Sequence, residues 1–282
     1  MLIDATTAGE GIRYFGVSGE FDPDSPNPFT QDGAYSPAWT SLIIADRWDA
    51  SDFMGCNTPR TLFLFRLGRR LRSLEWRLAD FLRHENRQGR NVILAAPRDM
   101  DIDALVERCL AKTPPPHVVR ESDPRYVVHS TSMAAGERIL ADGELKCLSF
   151  LMANGTITEP RLGHHGLCEP AEHADYVNLG PWESPWPEAV TSSNQKGRFV
   201  ALDEPYDPGY RFYFDGHAII RRGLDVRTGG TYFCVEQRLP LDGFLRAAVR
   251  FDDVDPDRTG TWTPATYVLE ANRVFRQSVP EA

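Results

Sequence analysis

The stretch YVVHSTSMAAGERILADG, residues 126–143, decides the fold of the second half of the chain. Its first six residues, 126–131, are mostly β-branched or aromatic and predict a strand. Ser132 or Thr131 then caps a short helix, which Gly143 ends. A strand that turns directly into a helix brings the polar residues of the turn close to the unpaired N–H groups of the first helical turn.

The chain beyond residue 143 predicts mainly strands. Short apolar or aromatic runs separated by turns occur at 175–180, 197–203, 210–214, 217–222, 231–236, 244–251 and 266–271. The polar run at 191–195 predicts a loop. One helix followed by many strands is typical of an α+β domain, which we assign to residues 119–282.

The preceding segment, residues 1–118, predicts a small α/β domain. Strands are expected at 12–19, 41–46 and 91–97, and a helix at 101–112. Leucines at spacings of three and four, from Leu64 to Leu82, predict a further helix over 58–88 that opens at Thr58-Pro59. The prolines 114–116 interrupt this pattern and place the domain boundary near residue 118.

His129, Ser130 and Thr131 lie at a position suited to holding a ligand, between a strand and a helix N-terminus. The strand fixes the backbone of His129, and the N–H groups and positive dipole end of the helix suit a phosphate or ribose oxygen. The chain contains no GxSxG, HExxH or phosphate-binding glycine motif. The prediction of function therefore depends on this segment.

The segment resembles the first motif of the ADP-ribosyltransferase superfamily, in its diphtheria-toxin-like clade. The motif order is closest to the RNA 2′-phosphotransferase family, whose first motif, approximately Leu-Tyr-His-Gly-Thr-Ser, corresponds to Val-Val-His-Ser-Thr-Ser at 127–132. The family's His-Val-His-Leu strand corresponds to Tyr-Val-Asn-Leu at 176–179, and its Asn-Gly-Val-Trp-Leu-Thr strand to 229–234. The resemblance covers about 125–252.

This resemblance implies a split β-sandwich that uses NAD as a substrate and cleaves the nicotinamide–ribose bond. It places His129 against the nicotinamide ribose, Tyr176 against the nicotinamide ring and Glu236 beside the reacting ribose, as the catalytic residues. A carboxylate there stabilises the positive charge that develops on the ribose. The NAD site that the resemblance implies consists of His129, Ser130, Thr131, Tyr176 and Asn178.

The sequence departs from the phosphotransferase pattern at Ser130, which replaces a glycine, and at Tyr176 and Asn178, which replace two histidines. The loss of the two histidines and the presence of Glu236 favour ADP-ribosyl transfer. The acceptor stays open between a protein, a nucleic acid and a small molecule. Two alternatives are an NAD-dependent RNA 2′-phosphotransferase and a non-catalytic binding module that uses the arginine-rich helix 58–88.

The composition is that of a globular protein, with 41% hydrophobic and 25% charged residues and a net charge of −9. Residues 57–120 nevertheless hold thirteen basic and seven acidic residues, so a local surface for a phosphate-bearing partner is compatible with the acidic total. The longest apolar candidate, 62–82, carries five arginines and predicts no membrane span and no membrane partner.

The five cysteines form no CxxC pair and predict reduced thiols and a cytoplasmic location. The same pattern is expected of a toxin or effector that acts in the cytosol of another cell. A histidine and cysteine cluster at 164–173 lacks the spacing of a structural zinc site, so no metal is expected.

Overall fold

The structure, a computed structural model, describes residues 2–8, 11–46, 53–57, 62–112, 117–157, 170–198, 200–230 and 233–279. The chain divides into two compact units. Unit 1 consists of Met1–Pro115, Leu167–Pro170 and Arg227–Thr231, and unit 2 of Pro116–Gly166, Ala171–Val226 and Tyr232–Ala282. The observed division lies close to the expected boundary at residue 118, and a short segment from the second half of the chain belongs to unit 1.

Unit 1 is built on a six-stranded mixed sheet. Its strands are β1 (Leu2–Thr7), β2 (Arg13–Ser18), β3 (Trp39–Ala45), β4 (Phe53–Asn57), β5 (Phe63–Gly68) and β6 (Asn91–Ala96). In the order β1-β2-β6-β3-β5-β4, the four central strands are parallel and each edge strand is antiparallel to its neighbour. Helices α1 (Leu74–Arg87) and α2 (Ile102–Ala111) pack on one face.

The central strands of unit 1 are continuous apolar runs because both faces of the sheet are covered. In β6, Leu94 packs in the core formed with α1 and α2. The preceding residue, Ile93, packs on the other face with Phe29 from the connection between β2 and β3. This arrangement is the α/β layer that the sequence predicts.

The helix expected over 58–88 is wrong in its first half, because residues 63–68 form strand β5 and α1 begins at Leu74. A short apolar run such as Phe-Leu-Phe-Arg-Leu cannot be assigned to a helix or a buried strand by periodicity alone. Thr58-Pro59 lie outside the described residues. Gly89 follows the helix end in the left-handed region, with φ of 73°.

Two arginines of α1 donate hydrogen bonds to backbone carbonyls within unit 1. Arg77 donates to the carbonyl of Gly230 at 2.7 Å, and Arg83 donates to a backbone carbonyl at the end of α2 at 3.0 Å. A Cβ on Gly229 would lie 2.4 Å from the Arg77 carbonyl oxygen. Gly229 and Gly230 therefore lie directly against α1, and the arginine-rich surface is smaller than the sequence suggests.

Unit 2 is built on a six-stranded antiparallel sheet and a separate two-stranded pair. The strands in chain order are β7 (Tyr126–Thr131), β8 (Glu144–Lys146), β9 (Tyr176–Pro181), β10 (Tyr210–Asp215), β11 (Asp225–Val226), β12 (Phe233–Glu236), β13 (Arg238–Pro240) and β14 (Leu245–Arg250). The large sheet has the order β11-β12-β9-β7-β10-β14, and β8 pairs with β13. β7 therefore lies inside the sheet, between β9 and β10.

Helices cover both faces of this sheet, so unit 2 contains more helix than the sequence predicts. They are α3 (Met133–Asp142), α4 (Leu148–Ala153), α5 (Trp186–Lys196), α6 (Gly216–Arg221), α7 (Phe251–Val254), α8 (Pro264–Ser278) and a 3-10 helix, Ala171–Asp175. Val127 packs in a core on one face with Ile139 of α3. Val128 packs on the other face with Phe275 of α8. The chain as a whole is a mixed α+β protein.

Two segments expected as strands, 217–222 and 266–271, are helical. Asp215 caps α6 by accepting a hydrogen bond from the Ala218 N–H at 2.8 Å. Thr263 caps α8, and Pro264 occupies its first turn. These helix-start residues override the strand preference of the apolar and aromatic residues that follow them.

The segment 197–203 forms no strand in its described residues, and the polar run 191–195 lies in α5 instead of a loop. Gly197 ends α5 with φ of 64°. The polar residues of α5 are directed into unit 2, where Thr191 donates to the carbonyl of Ser130 at 2.9 Å. Thr191, Ser192 and Ser193 are therefore buried although the run is polar.

Candidate functional site

β7 and α3 form the strand, turn and helix predicted for residues 126–143. The Ser132 hydroxyl accepts a hydrogen bond from the Ala135 N–H at 3.4 Å, and Gly143 follows the helix with φ of 70°. A Cβ on Gly209 would lie 2.1 Å from the Thr131 carbonyl oxygen and 2.7 Å from the backbone nitrogen of Met133. The backbone at Gly209 therefore packs closely against the turn that follows the His-Ser-Thr segment.

β7 and β9 part from each other at His129. Within these described strands, the ladder consists of Val127 with Pro181 and Val128 with Gly180, whereas β7 pairs with β10 along its whole length. Beyond that ladder, the backbone of Asn178 lies near the His129 ring. The His129 side chain therefore lies where the two strands separate.

The His129 ring is half-buried and neutral at pH 7. Loss of hydration lowers the pKa of His129 to about 4, although the neighbouring Asn178 backbone favours the protonated ring. A neutral imidazole has one N–H and one acceptor nitrogen. A neutral ring at this position can therefore donate one hydrogen bond to a ligand hydroxyl and accept another.

The predicted site residues lie on both faces of the sheet. Val177 and Val235 pack in the same core as Val127, so the residues that alternate with them in β9 and β12 lie on the opposite face. One face carries His129 and Thr131, and the other carries Ser130, Tyr176, Asn178 and Glu236. The structure therefore places the six predicted residues on two faces of the sheet and does not bring them together on one surface.

Tyr176 and Glu236 are register partners across β9 and β12. The Tyr176 side chain is buried, whereas Glu236 is exposed at the end of β12 and forms no ion pair within the described part of the chain. Beside them, the Cys234 thiol donates to the Asn178 Oδ1 at 3.3 Å. An aromatic ring and an unneutralised carboxylate are thus adjacent at this end of the sheet.

A buried network behind Ser130 was not predicted. The Ser130 hydroxyl donates to the Glu188 Oε1 at 2.5 Å, Arg211 donates to the same oxygen at 3.0 Å, and the Tyr206 hydroxyl donates to Oε2 at 2.7 Å. The Arg211 and Glu188 side chains are 0% and 1% exposed. The Ser130 hydroxyl is therefore directed into the protein, and its part in the site is to position β7.

Arg211 connects this network to the chain before α5. Its guanidinium donates to the carbonyls of Trp182 at 2.8 Å and Ser184 at 3.1 Å. Burial and the negative charge of Glu188 raise the pKa of Tyr206 well above its usual range, so its hydroxyl stays a donor. The sequence signal for Arg211 is one charge inside the aromatic run 210–214, whereas nothing in the sequence singles out Glu188.

Comparison with known proteins finds no match for this chain among protein-family models, curated proteins or solved structures. In the described residues, no helix combines the length and apolar character needed to cross a membrane. The same residues contain no group of three or more His, Cys, Asp or Glu side chains arranged to hold a metal ion. The histidines and cysteine at 164–168 lie outside the described residues.

The parting of β7 and β9 is the candidate active site of unit 2. A neutral imidazole at His129 lies on one face of the sheet there, and an aromatic ring at Tyr176 lies beside a carboxylate at Glu236 on the other face. The first group can bond hydroxyls, the second can stack on a flat ring, and the third can stabilise positive charge or accept a proton. The network behind Ser130 gives the site a rigid support.

Proposed function

We propose that unit 2 is an NAD-dependent ADP-ribosyltransferase that binds NAD where β7 and β9 part. One observation carries the proposal. The three segments that resemble the motifs of that superfamily lie far apart in the chain, yet they form three neighbouring strands in the order β12-β9-β7. That adjacency brings the three segments into one region of unit 2.

The side chains at the opening suit NAD. The neutral His129 ring offers an acceptor nitrogen to a ribose hydroxyl from one side of the opening. Tyr176 offers its ring to the nicotinamide from the other side, next to Glu236. Ser130 and Thr131 supply the backbone at the turn into α3, where the helix dipole favours a negatively charged group.

The reaction breaks the bond between the nicotinamide nitrogen and ribose C1′, and its electron pair leaves with nicotinamide. A nucleophilic atom of the acceptor forms the new bond to C1′, and the proton of that atom passes to the Glu236 carboxylate. The same carboxylate stabilises the positive charge that builds on the ribose as the bond breaks. With water as the acceptor, the products are nicotinamide and ADP-ribose.

The test is nicotinamide release from NAD by the purified full-length chain. We expect Glu236→Gln to lower kcat by roughly 100-fold, the size of a general-base contribution. His129→Ala is expected to raise KM because it removes a contact made to bound substrate. The control is Glu270→Gln, which changes an exposed carboxylate on α8 that pairs with Arg273.

Two results would reject the proposal: no nicotinamide release together with no thermal stabilisation by NAD, or a Glu236→Gln variant as active as the control. Release that requires a 2′-phosphorylated RNA, with transfer of its phosphate, would instead identify the phosphotransferase alternative. The acceptor is then sought by following labelled ADP-ribose onto protein, nucleic acid and small molecules.

A further inference from the structure

A cavity lies in unit 2 beside α6, away from the parting of β7 and β9. Its volume is about 380 Å³, within the range of roughly 300–1,000 Å³ typical of small-molecule sites. In the register of β10, Tyr210 lies opposite Thr131 and Asp215 lies opposite Tyr126. α6 follows Asp215, so the cavity beside it lies at the other end of β7 from the His-Ser-Thr segment. Its lining consists of Ala218, Arg221, Arg222, Asp242, Gly243 and Phe244.

Hydrogen bonds of Asp215 fix the start of α6. Two arginines near the end of the helix lie on the side that lines the cavity. Asp215 caps the helix and also accepts a hydrogen bond from Arg246 at 2.5 Å. Residues three and four positions apart share a face of a helix. Arg221 and Arg222 follow Ala218 at these spacings, and all three line the cavity.

The two arginines differ from most others in unit 2 because they have no ion-pair partner among the described residues. Asp242 lines the same cavity but pairs with neither of them. Two guanidinium groups beside one carboxylate leave the cavity with net positive charge, which attracts an anion. The ion-paired arginines of unit 2 are Arg198, Arg211, Arg238, Arg246, Arg250, Arg258 and Arg273.

We infer that this cavity binds the phosphate monoester of a nucleotide. Arg221 and Arg222 hold the phosphate, since a guanidinium matches phosphate geometry with paired N–H groups. Ala218 and the exposed edge of Phe244, whose ring is otherwise packed in the core, give a small apolar surface beside the arginines. Asp242 lines the same cavity and can accept a hydrogen bond from a ribose hydroxyl. A free mononucleotide and the terminal nucleotide of a nucleic acid share this chemistry. The inference does not depend on the proposed function.

The test is calorimetric titration of the full-length chain with AMP and, separately, with inorganic phosphate. We expect AMP to bind more tightly than phosphate. The double variant Arg221→Gln/Arg222→Gln is expected to weaken AMP binding at least tenfold, since it removes charged hydrogen bonds. The matched control is Arg138→Gln/Arg273→Gln, which makes the same change in net charge elsewhere in unit 2.

A second variant keeps the arginines and fills the cavity. Ala218→Leu should abolish AMP binding while circular dichroism stays unchanged. AMP binding that persists in both variants, or that is absent from the wild-type chain along with binding of 5′-phosphorylated oligonucleotides, would overturn the inference. Retention of AMP binding in His129→Ala separates this cavity from the proposed NAD site.

Titration with single-stranded oligonucleotides, with and without a 5′-phosphate, identifies the source of the ligand. Binding of AMP alone indicates a free nucleotide, whereas binding of the phosphorylated oligonucleotide as well indicates a nucleic-acid end. Equal affinity for AMP and inorganic phosphate would overturn the assignment of a nucleotide.

Discussion

Arg211 is a charged residue in the centre of an aromatic strand, and its charge is balanced entirely inside unit 2. Its Nη1 donates to Glu188 and Ser130. Its Nη2 donates to the backbone carbonyls of Trp182 and Ser184. Removing either charge leaves the other buried and alone, which costs more than a packing defect. The stability of this region therefore depends on the pair being complete.

We expect Arg211→Met to lower the free energy of unfolding by about 3–5 kcal/mol, measured by urea denaturation. The double variant Arg211→Met/Glu188→Leu should lose less than the single variant, because it leaves no isolated charge. Arg250→Met, which removes an exposed ion-paired arginine, is the control and should change stability by less than about 0.5 kcal/mol. A single variant as stable as this control would contradict the prediction.

His129 makes stability depend on pH. Its pKa in the folded chain is about 4, below its ordinary 6.5, so between these values the unfolded chain binds more protons. Stability should therefore rise from about pH 4 to about pH 6.5 and then level off with respect to this group. The measurement compares unfolding free energies of the wild-type chain and His129→Gln across this range. An identical slope in both would contradict the assignment.

At the level of single residues, the sequence identified His129 and its neighbours because they end a strand and precede a helix cap. It did not show that the Ser130 hydroxyl is turned inward, since that depends on Glu188, which lies far along the chain. A contact between distant residues leaves no local pattern. The inward direction of the α5 polar residues was missed for the same reason.

At the level of elements, β7, α3 and β10 could be predicted because each combines a composition with a boundary signal. The composition of α6 and α8 predicts strands, whereas Asp215 and Thr263-Pro264, which precede them, are helix starts. β5 was missed because a buried parallel strand and a helix share the same apolar run. Boundary residues were thus better indicators than composition in short segments.

Because Gly209 has no side chain, the chain just before β10 can pack closely against the junction of β7 and α3. Its backbone lies against the turn between β7 and α3, and a methyl group there would overlap the Thr131 carbonyl oxygen. We expect Gly209→Ala to cost about 1–3 kcal/mol, as overpacking does, measured by thermal or urea unfolding. Gly155→Ala is a useful comparison because a Cβ there meets open space and its cost comes from φ of 68° alone.

Gly209→Ala should also be more harmful to the site than Gly155→Ala. The displaced atoms belong to Thr131, Ser132 and Met133, which form the turn after His129. Hydrogen exchange should therefore increase at the start of α3 in the Gly209→Ala variant. Unchanged exchange there, with full stability, would show that the turn accommodates the added methyl group.

At the level of the whole molecule, the net charge of −9 predicts little about particular surfaces. The basic segment 57–120 suggested one large partner surface, but several of its arginines have internal partners. Arg90 pairs with the buried Glu85 at 2.6 Å, and Arg77 bonds the backbone of Gly230. Composition could locate the charge along the chain, but the fold decides which of those charges reach solvent.

The two-unit organisation could be predicted from the prolines near residue 115, because a break in periodicity is local. The return of residues 227–231 to unit 1 could not, because it rests on Gly229 and Gly230 meeting α1 at close range. Glycine at this position allows both a φ of 72° and the close approach. No local sequence pattern predicts such a contact, because its two partners lie far apart in the chain.

The assignment of residues 227–231 to unit 1 also has a consequence for folding during translation. Most of unit 1 has left the exit tunnel long before residue 227 is added to the nascent chain. Domains generally fold as units while they emerge. The part of α1 that contacts Gly229 and Gly230 therefore lacks these contacts until most of unit 2 has been synthesised. Completion of the N-terminal unit is thus timed by translation of the C-terminal one.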